Sequence, residues 1–501
     1  MSAVANAYER REVNLNDPHG EKSILESDCT RQENDVFDSK AEGRLRWKID
    51  LMILPIVTVS YLLCFVERAN IGNARIAGLE KDLGLQGYDY NILLSVFYIS
   101  YILFELPSGI LCKKIGPGWF IPGTTLLFGI ATLGTAFVHN MGQAAGVRFV
   151  LGAFEAGMLP GIAYYLSRWY RRSEMAFRVS VYVSMAPFSG AFGGLLASGI
   201  LGLSHFGELH RWRMIFAIEG IITCGVALIG FIALTDRPET AKWLTNEEKQ
   251  LAIARIRSER IGQTQVLDQL DLTKVLRGIF NPVTLTVSSL FLFTNVTVNG
   301  LASFLPTIIQ TIYPEKTVVE QQLQTVPPYI VGTFFTLLAP YLSSRFDRFL
   351  LIFIACCPSM IVGYIMFLTS ESPHVRYGAT FLITSGAFPL GPLCSAAVSA
   401  NVVSDTARAS ALATHVMIGT LGSVTATWSF LPFDAPDYRI GNGLNLATSG
   451  MTLLVSVLLL VWMMVDNKKR EDRNVEEELD GLSEKKIEDL DWKHPGFRWH
   501  T

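Results

Sequence analysis

The 501-residue chain is 50% hydrophobic and only 17% charged, with 42 Lys+Arg against 45 Asp+Glu and a formal net charge of −3. An ordinary soluble domain carries about 25% charge; so low a share, with a near-neutral sum, excludes both a basic nucleic-acid binder and a wholly disordered chain. The charges crowd into residues 1–48, 236–280 and 466–501, and the stretches between them read as repeated membrane crossings.

Residues 1–48 are polar and mixed in charge and carry no pattern of a cleavable signal, so they are expected to form a cytoplasmic tail without fixed structure. A bilayer core about 30 Å thick takes about 20 apolar residues in helix. Segments meeting that test lie at 49–74, 90–111, 119–138, 146–167, 178–203 and 214–235. A charged central loop, 236–282, separates them from a second set at 283–311, 325–343, 349–369, 376–400, 408–431 and 444–465. A charged tail, 466–501, follows. The expected fold is therefore an all-α polytopic membrane protein of twelve transmembrane helices. They form two six-helix lobes, 49–235 and 283–465, with a substrate site between them near the midplane.

Basic residues set the orientation. With the amino terminus inside, the outer loops hold Arg75, Lys81, Arg211, Arg213, Lys316, Arg376 and Arg439, and two arginines, Arg68 and Arg148, stay within spans. The other 33 of the 42 fall on the cytoplasmic side, with clusters flanking the first and last spans. Both termini are expected to be cytoplasmic. The seven cysteines (Cys29, Cys64, Cys112, Cys224, Cys356, Cys357 and Cys394) show no metal-ligand spacing and read as apolar thiols.

Charged side chains within spans cost about 2.5–3.5 kcal/mol each even on the gentlest scale, so each needs a reason. Span one ends in VERANIGN with Glu67 beside Arg68. Span four reads GVRFVLGAFEAGMLPG, which puts Arg148 and Glu155 seven residues apart on one face. An arginine offers a fixed fork of donors matched to a carboxylate, and it keeps its charge. A glutamate in the membrane can instead take up a proton. Together they suit an anion:proton symporter, because co-moving one proton cancels the cost of carrying a monoanion against an inside-negative potential, about 2.3 kcal/mol per 100 mV. Arg68 is expected to bind the substrate carboxylate, and Glu155, tuned by Arg148, to carry the proton.

Other polar residues have two readings each. Glu105 in span two is a gate contact or a helix staple. Glu219 in span six, close to Arg211 and Arg213, reads as a staple. Asn295 and Asn299 in span seven share a face, and with Ser303 they either donate to a polar substrate or bond neighbouring helices. His415 reads as an interhelical donor before a proton relay. The prolines at 160, 187, 306, 340, 358, 389 and 392 mark bends, and the run SGAFGGLLASG in span five, Ser189 to Gly199, allows close backbone approach.

Four ordered blocks resemble a known group. RWKIDLMILP with ERANIGNARIAGL in span one, RFVLGAFEAGMLPGIAYYLSRWYRRSE in span four, TDRPETAKWLTNEEK opening the central loop and YRIGNGLNLA before span twelve are similar to the fungal anion:cation symporter (allantoate permease) branch of the major facilitator superfamily. The likeness covers about residues 44–466. It implies proton-coupled import of a small organic anion such as allantoate, nicotinate, pantothenate or biotin, with protons as the coupling ion and no other cofactor. In the related sugar-acid symporters, an acidic–arginine pair in span one and an arginine–glutamate pair in span four bind substrate and proton. By position these are Glu67 with Arg68, and Arg148 with Glu155.

The chain departs from the pattern in places. Glu67 stands where aspartate is usual. The inner-loop pattern appears as GILCKKIGPG, which keeps Gly109, Lys114 and Gly116 but has Lys113 at the acid's position. PYLSSRFDR keeps Arg345 and Arg348, with Ser344 in place of the acid, and NVVSDTARAS keeps only Arg408 of a basic pair. Glu105, Lys114 and Arg345 are the expected gating residues. The resemblance implies a plasma-membrane monomer, with an internal organelle membrane as the alternative. The rivals are a proton-coupled exporter of organic anions or drugs and a transporter-like nutrient sensor. No nucleophile–base pair, metal cluster or phosphate loop suggests an enzyme.

Overall fold

The computed structural model describes residues 39–203, 205, 207, 209–258, 272–346, 348–472, 475–479 and 490–500. Expectations for residues 1–38, 259–271 and 480–489, with Cys29 and Arg473, lie outside them. By contacts the chain divides into residues 1–50 and 51–501, a boundary that falls inside the first helix.

That helix runs from Ser39 to Ala74, so it starts before the apolar stretch expected at 49. Lys40, Glu42, Arg44, Arg46 and Lys48 are good helix formers, and the charged lead-in carries the helix back into the expected tail. Past Ala74 it widens into one π turn, Arg75–Leu79, relaxed at Gly78 with φ 108°. A last turn, Glu80–Leu83, stops at Gly84 in the left-handed region, where the glycine N–H caps the carbonyls of Glu80 and Lys81.

Among the described residues, 11 helical stretches are long and apolar enough to cross a membrane. The remaining expected crossing, 119–138, is the helix Pro117–Thr135, whose prolines, glycines and threonines dilute its apolar content. Three crossings are broken, and prolines explain where. A proline ring collides with the carbonyl four residues earlier and gives it no donor. Span four is accordingly Met141–Glu155 followed by Met158–Ser167, its gap four residues before Pro160. Span five breaks at Ser184, beside the carbonyl opposed by Pro187, into Arg172–Val183 and Met185–Leu201. Span ten stops at Ala387 and resumes at Leu390, around the carbonyl opposed by Pro392. Pro306, Pro340 and Pro358 stay inside continuous helices, Pro282–Ile312, Val318–Phe346 and Phe349–Thr369.

Within the first lobe span two (Asp89–Ile115) packs on span four, and span three on span six (Trp212–Ala233). In the second, span seven packs on span eleven (Asp405–Thr427), and span nine on spans ten and twelve (Arg439–Glu471). Between lobes, span five meets span eight and span two meets span eleven. Hydrogen bonds fasten the lobes at the end holding Asp89 and Thr427. Asn91 Nδ2 donates to the Thr427 carbonyl at 2.6 Å, Trp428 Nε1 to Ser95 Oγ at 2.9 Å, and Tyr90 OH to the Ser303 carbonyl at 3.1 Å. Gly72 is required there: a Cβ would sit 2.6 Å from the Ser303 carbonyl oxygen.

The tail expected from 466 is in part structured. The last span runs on to Glu471, and residues 490–500 return to pack on the second lobe with Trp499 3% exposed. Three aromatic residues and a buried aspartate in that short stretch give it the apolar surface and the cap that a charge count hides.

Candidate functional site

Neighbours in a helix sequence point about 100° apart, while residues four apart share a face. Arg68 and Cys64 therefore look one way and Glu67 another. Glu67, 1% exposed, turns into the first lobe, where it accepts from Thr132 Oγ1 of span three and, at 3.4 Å, from Thr223 Oγ1 of span six. Arg68 turns to the lobe boundary. It lines a narrow cavity there with Phe65, Ser189, Asn299, Tyr329 and Phe388.

At that boundary Arg68 meets span four. Its Nε donates to Glu155 Oε2 at 2.7 Å, and the Cys64 thiol donates to the same oxygen at 3.1 Å. The glutamate side chain is fully buried, and the arginine is 13% exposed. The guanidinium lies 4.6 Å from the Phe65 ring centre and 4.9 Å from that of Tyr101, so aromatic faces hold the fork in place. A pair this short and this dry is well oriented, and removing the charge from one side leaves the other buried without its counter-charge. Glu155 is the last residue of its half-helix, beside the gap that Pro160 forces. Its Oε1 has no hydrogen-bond partner among the described residues.

The partner of Glu155 is thus Arg68 from the adjacent helix. Arg148, expected to tune it, is 5% exposed, with its guanidinium 5.8 Å from the Phe216 ring centre and its Nε without a hydrogen-bond partner among the described residues. Spacing along span four placed Arg148 and Glu155 on one face; it carried no information about which neighbour reaches that face first. Glu219 also has an unexpected partner. It accepts from Asn70 Nδ2, while Arg213 donates to the Ala136 carbonyl at 2.7 Å.

In the second lobe Asn299 faces the site. Tyr98 OH of span two donates to its Oδ1 at 2.9 Å across the lobe boundary, and its Nδ2 donates to Ser423 Oγ at 2.9 Å. Asn295 Nδ2 donates to the Gly419 carbonyl at 3.0 Å, an interhelical bond. Ser303 takes part through its carbonyl at the fastened end. His415 is fully buried and stacks on Phe291, 4.4 Å between ring centres.

Glu105 is 8% exposed, with Oε2 lacking a hydrogen-bond partner among the described residues. Lys114 and Arg345 are exposed at the ends of spans two and eight, opposite the fastened end. The acid missing at Lys113 is supplied from elsewhere: Asp236, in the TDRPET block, accepts from Arg168 Nη1 at 3.0 Å and packs against the backbone of Gly116 and Gly118. Cys64, Tyr98, Tyr101 and Asp236 were not singled out by sequence. Only the thiol had a readable signal, its place four residues before Arg68.

A family model described as Major Facilitator Superfamily matches residues 57–427. An uncharacterized transporter of Schizosaccharomyces pombe is 32% identical over 468 residues, covering 93% of this chain and 91% of that protein. The MFS transporter prlL of a fungal species is 33% identical over 435 residues, covering 84% and 86%. Among solved structures, a bacterial homologue of the human lysosomal transporter Spinster aligns with a TM-score of 0.62 at 17% identity, over 80% of this chain and 94% of that one.

Proposed function

This chain belongs to the Major Facilitator Superfamily and is a membrane transporter of that type, and from this premise we propose that it moves a small organic anion together with a proton, by alternating access. The allantoate-permease likeness of its four sequence blocks favours a carboxylate of the nicotinate, allantoate or pantothenate kind, taken inward across the plasma membrane, with both termini cytoplasmic. The observation that carries the reading is the 2.7 Å pair between Arg68 and Glu155 at the lobe boundary.

The pair works as an exchange. With Glu155 ionised, its carboxylate holds the guanidinium through Nε. A proton on Glu155 removes that charge, and the fork is released to take the substrate carboxylate. One anion and one proton are then bound together, and for a monoanion the loaded carrier moves no net charge. Binding of either one favours binding of the other, as linkage requires. Asn299 and Tyr98, bonded across the boundary, report lobe closure to the same cavity. Glu67, held by Thr132 and Thr223, is a second buried carboxyl in the lobe, set back from the cavity.

Uptake of a labelled carboxylate panel into vesicles at several external pH values tests this. One or more members should enter faster as external pH falls, with the pH effect persisting when the membrane potential is clamped at zero. Uptake of an amine or a neutral sugar, with every carboxylate excluded, would contradict the anion assignment.

A further inference from the structure

Among the described residues Glu219 has no arginine partner, and what it holds leads to the other lobe. Its carboxylate is fully buried in span six, with Oε2 accepting from Asn70 Nδ2 and Oε1 unpartnered among the described residues. Asn70 Oδ1 in turn accepts from Asn73 Nδ2 at 2.8 Å. The main-chain carbonyl of Asn73 accepts from Gln322 Nε2 of span eight at 3.1 Å, so the turn of span one that Glu219 and Asn70 hold carries the contact to the other lobe, and Gln322 too is fully buried. A side-chain amide has one donor end and one acceptor end. With its NH₂ committed to the carboxylate, Asn70 must turn its oxygen toward Asn73. Asn70 thus joins Glu219 to Asn73 through the two ends of one side-chain amide and fixes this turn of span one against span six.

The glycine pair of span five fits over this link. A Cβ on Gly193 would touch Asn70 Oδ1 at 3.4 Å, and one on Gly194 would lie 2.7 Å from Thr325 Oγ1 of span eight. The small residues let spans one, five and eight close together around buried amides, a contact that Gly72 repeats on span seven.

We propose that Glu219 is a positioning residue for closure of the fastened end, acting through Asn70 and Asn73 on Gln322 of the opposite lobe. It gives the conformational cycle a determinant that the cavity residues do not contain. The inference rests on the transporter fold alone, and it is independent of which substrate or coupling ion the protein carries.

The test is a distance measurement between spin labels at Gln86 and Glu315, exposed positions on the two lobes at that end, introduced as unnatural residues into the full chain in lipid nanodiscs. Glu219→Ala should raise the separated population by roughly 3- to 10-fold, the effect of losing one buried hydrogen bond. Asn70→Ala and Gln322→Ala should do the same. Glu219→Ala combined with Gln322→Ala should separate the lobes no further than the larger single change. Glu219→Gln keeps an acceptor for Asn70 and should restore the wild-type distribution. If Glu219→Ala does not fold, Asn70→Ala breaks the same link and decides the matter. An unchanged distribution in Glu219→Ala or Asn70→Ala overturns the proposal, as does full additivity with Gln322→Ala. A purely structural role would lower the melting temperature and leave the distances alone.

Discussion

Arg68 is held by three different kinds of contact: a charged hydrogen bond to Glu155, a thiol at 3.5 Å and the faces of three aromatic rings, Phe65, Phe97 and Tyr101. Only guanidinium satisfies all three, since an ammonium is a compact point charge without a fork or a flat face. Arg68→Lys should therefore weaken anion binding by roughly 10- to 100-fold, the scale of one or two lost charge-assisted bonds. Competition by unlabelled substrate in the transport assay checks this, and a change under about twofold would mean that charge alone suffices. The sequence showed Arg68 and Glu155 as costly residues that needed a reason to be buried. It did not show that they meet. That contact depends on the rotation of span one about its axis, which decides that Arg68 and not Glu67 faces span four. Glu67, one position away, is directed at Thr132 by the same rotation.

Whole elements were legible where their physics is local. Apolar runs located the crossings, and the breaks fall beside the prolines at 160, 187 and 392, while Pro306, Pro340 and Pro358 stay in continuous helices, so a proline in the sequence marks where a break can occur and not that it does. The carboxy-terminal segment was not legible, because its order comes from partners far away in the chain. Asn467 accepts from the Trp499 N–H at 2.7 Å and donates to its carbonyl at 2.8 Å. Asn401 does the same for His500, at 2.8 and 3.1 Å. Asp491 caps the N–H groups of Val403 and Ser404, and Trp492 Nε1 donates to the Arg277 carbonyl of the central loop's second helix, Leu272–Ile279. Residues 490–500 thus join the end of span ten, the loop before span eleven, span twelve and the central loop, and His500 stacks on Phe349 at the start of span nine, 5.6 Å between ring centres. Trp499→Ala should cost about 3–5 kcal/mol, the usual effect of emptying a buried aromatic site. Thermal unfolding in detergent should shift down by several degrees, and an unchanged midpoint would show that the segment contributes nothing to the fold.

At the scale of the molecule, two six-helix lobes meet along spans two and eleven and spans five and eight, and the arginine–glutamate pair lies where they meet. Lobe architecture could be read from the sequence because it follows from hydrophobic length and from charge separation, which are one-dimensional. Partner choice across a boundary could not, because it is set by packing in three dimensions, as the link from Glu219 to Gln322 illustrates. On the proposed mechanism Glu155 carries the proton which releases Arg68 to the substrate. Glu155→Gln tests it most directly, since a glutamine there is permanently as neutral as the protonated acid. In reconstituted vesicles the variant should still exchange labelled for unlabelled anion, with no dependence on external pH, and should fail to concentrate the anion when a pH gradient is imposed. Concentration of the anion by Glu155→Gln at the wild-type level, with the wild-type response to pH, would contradict the account.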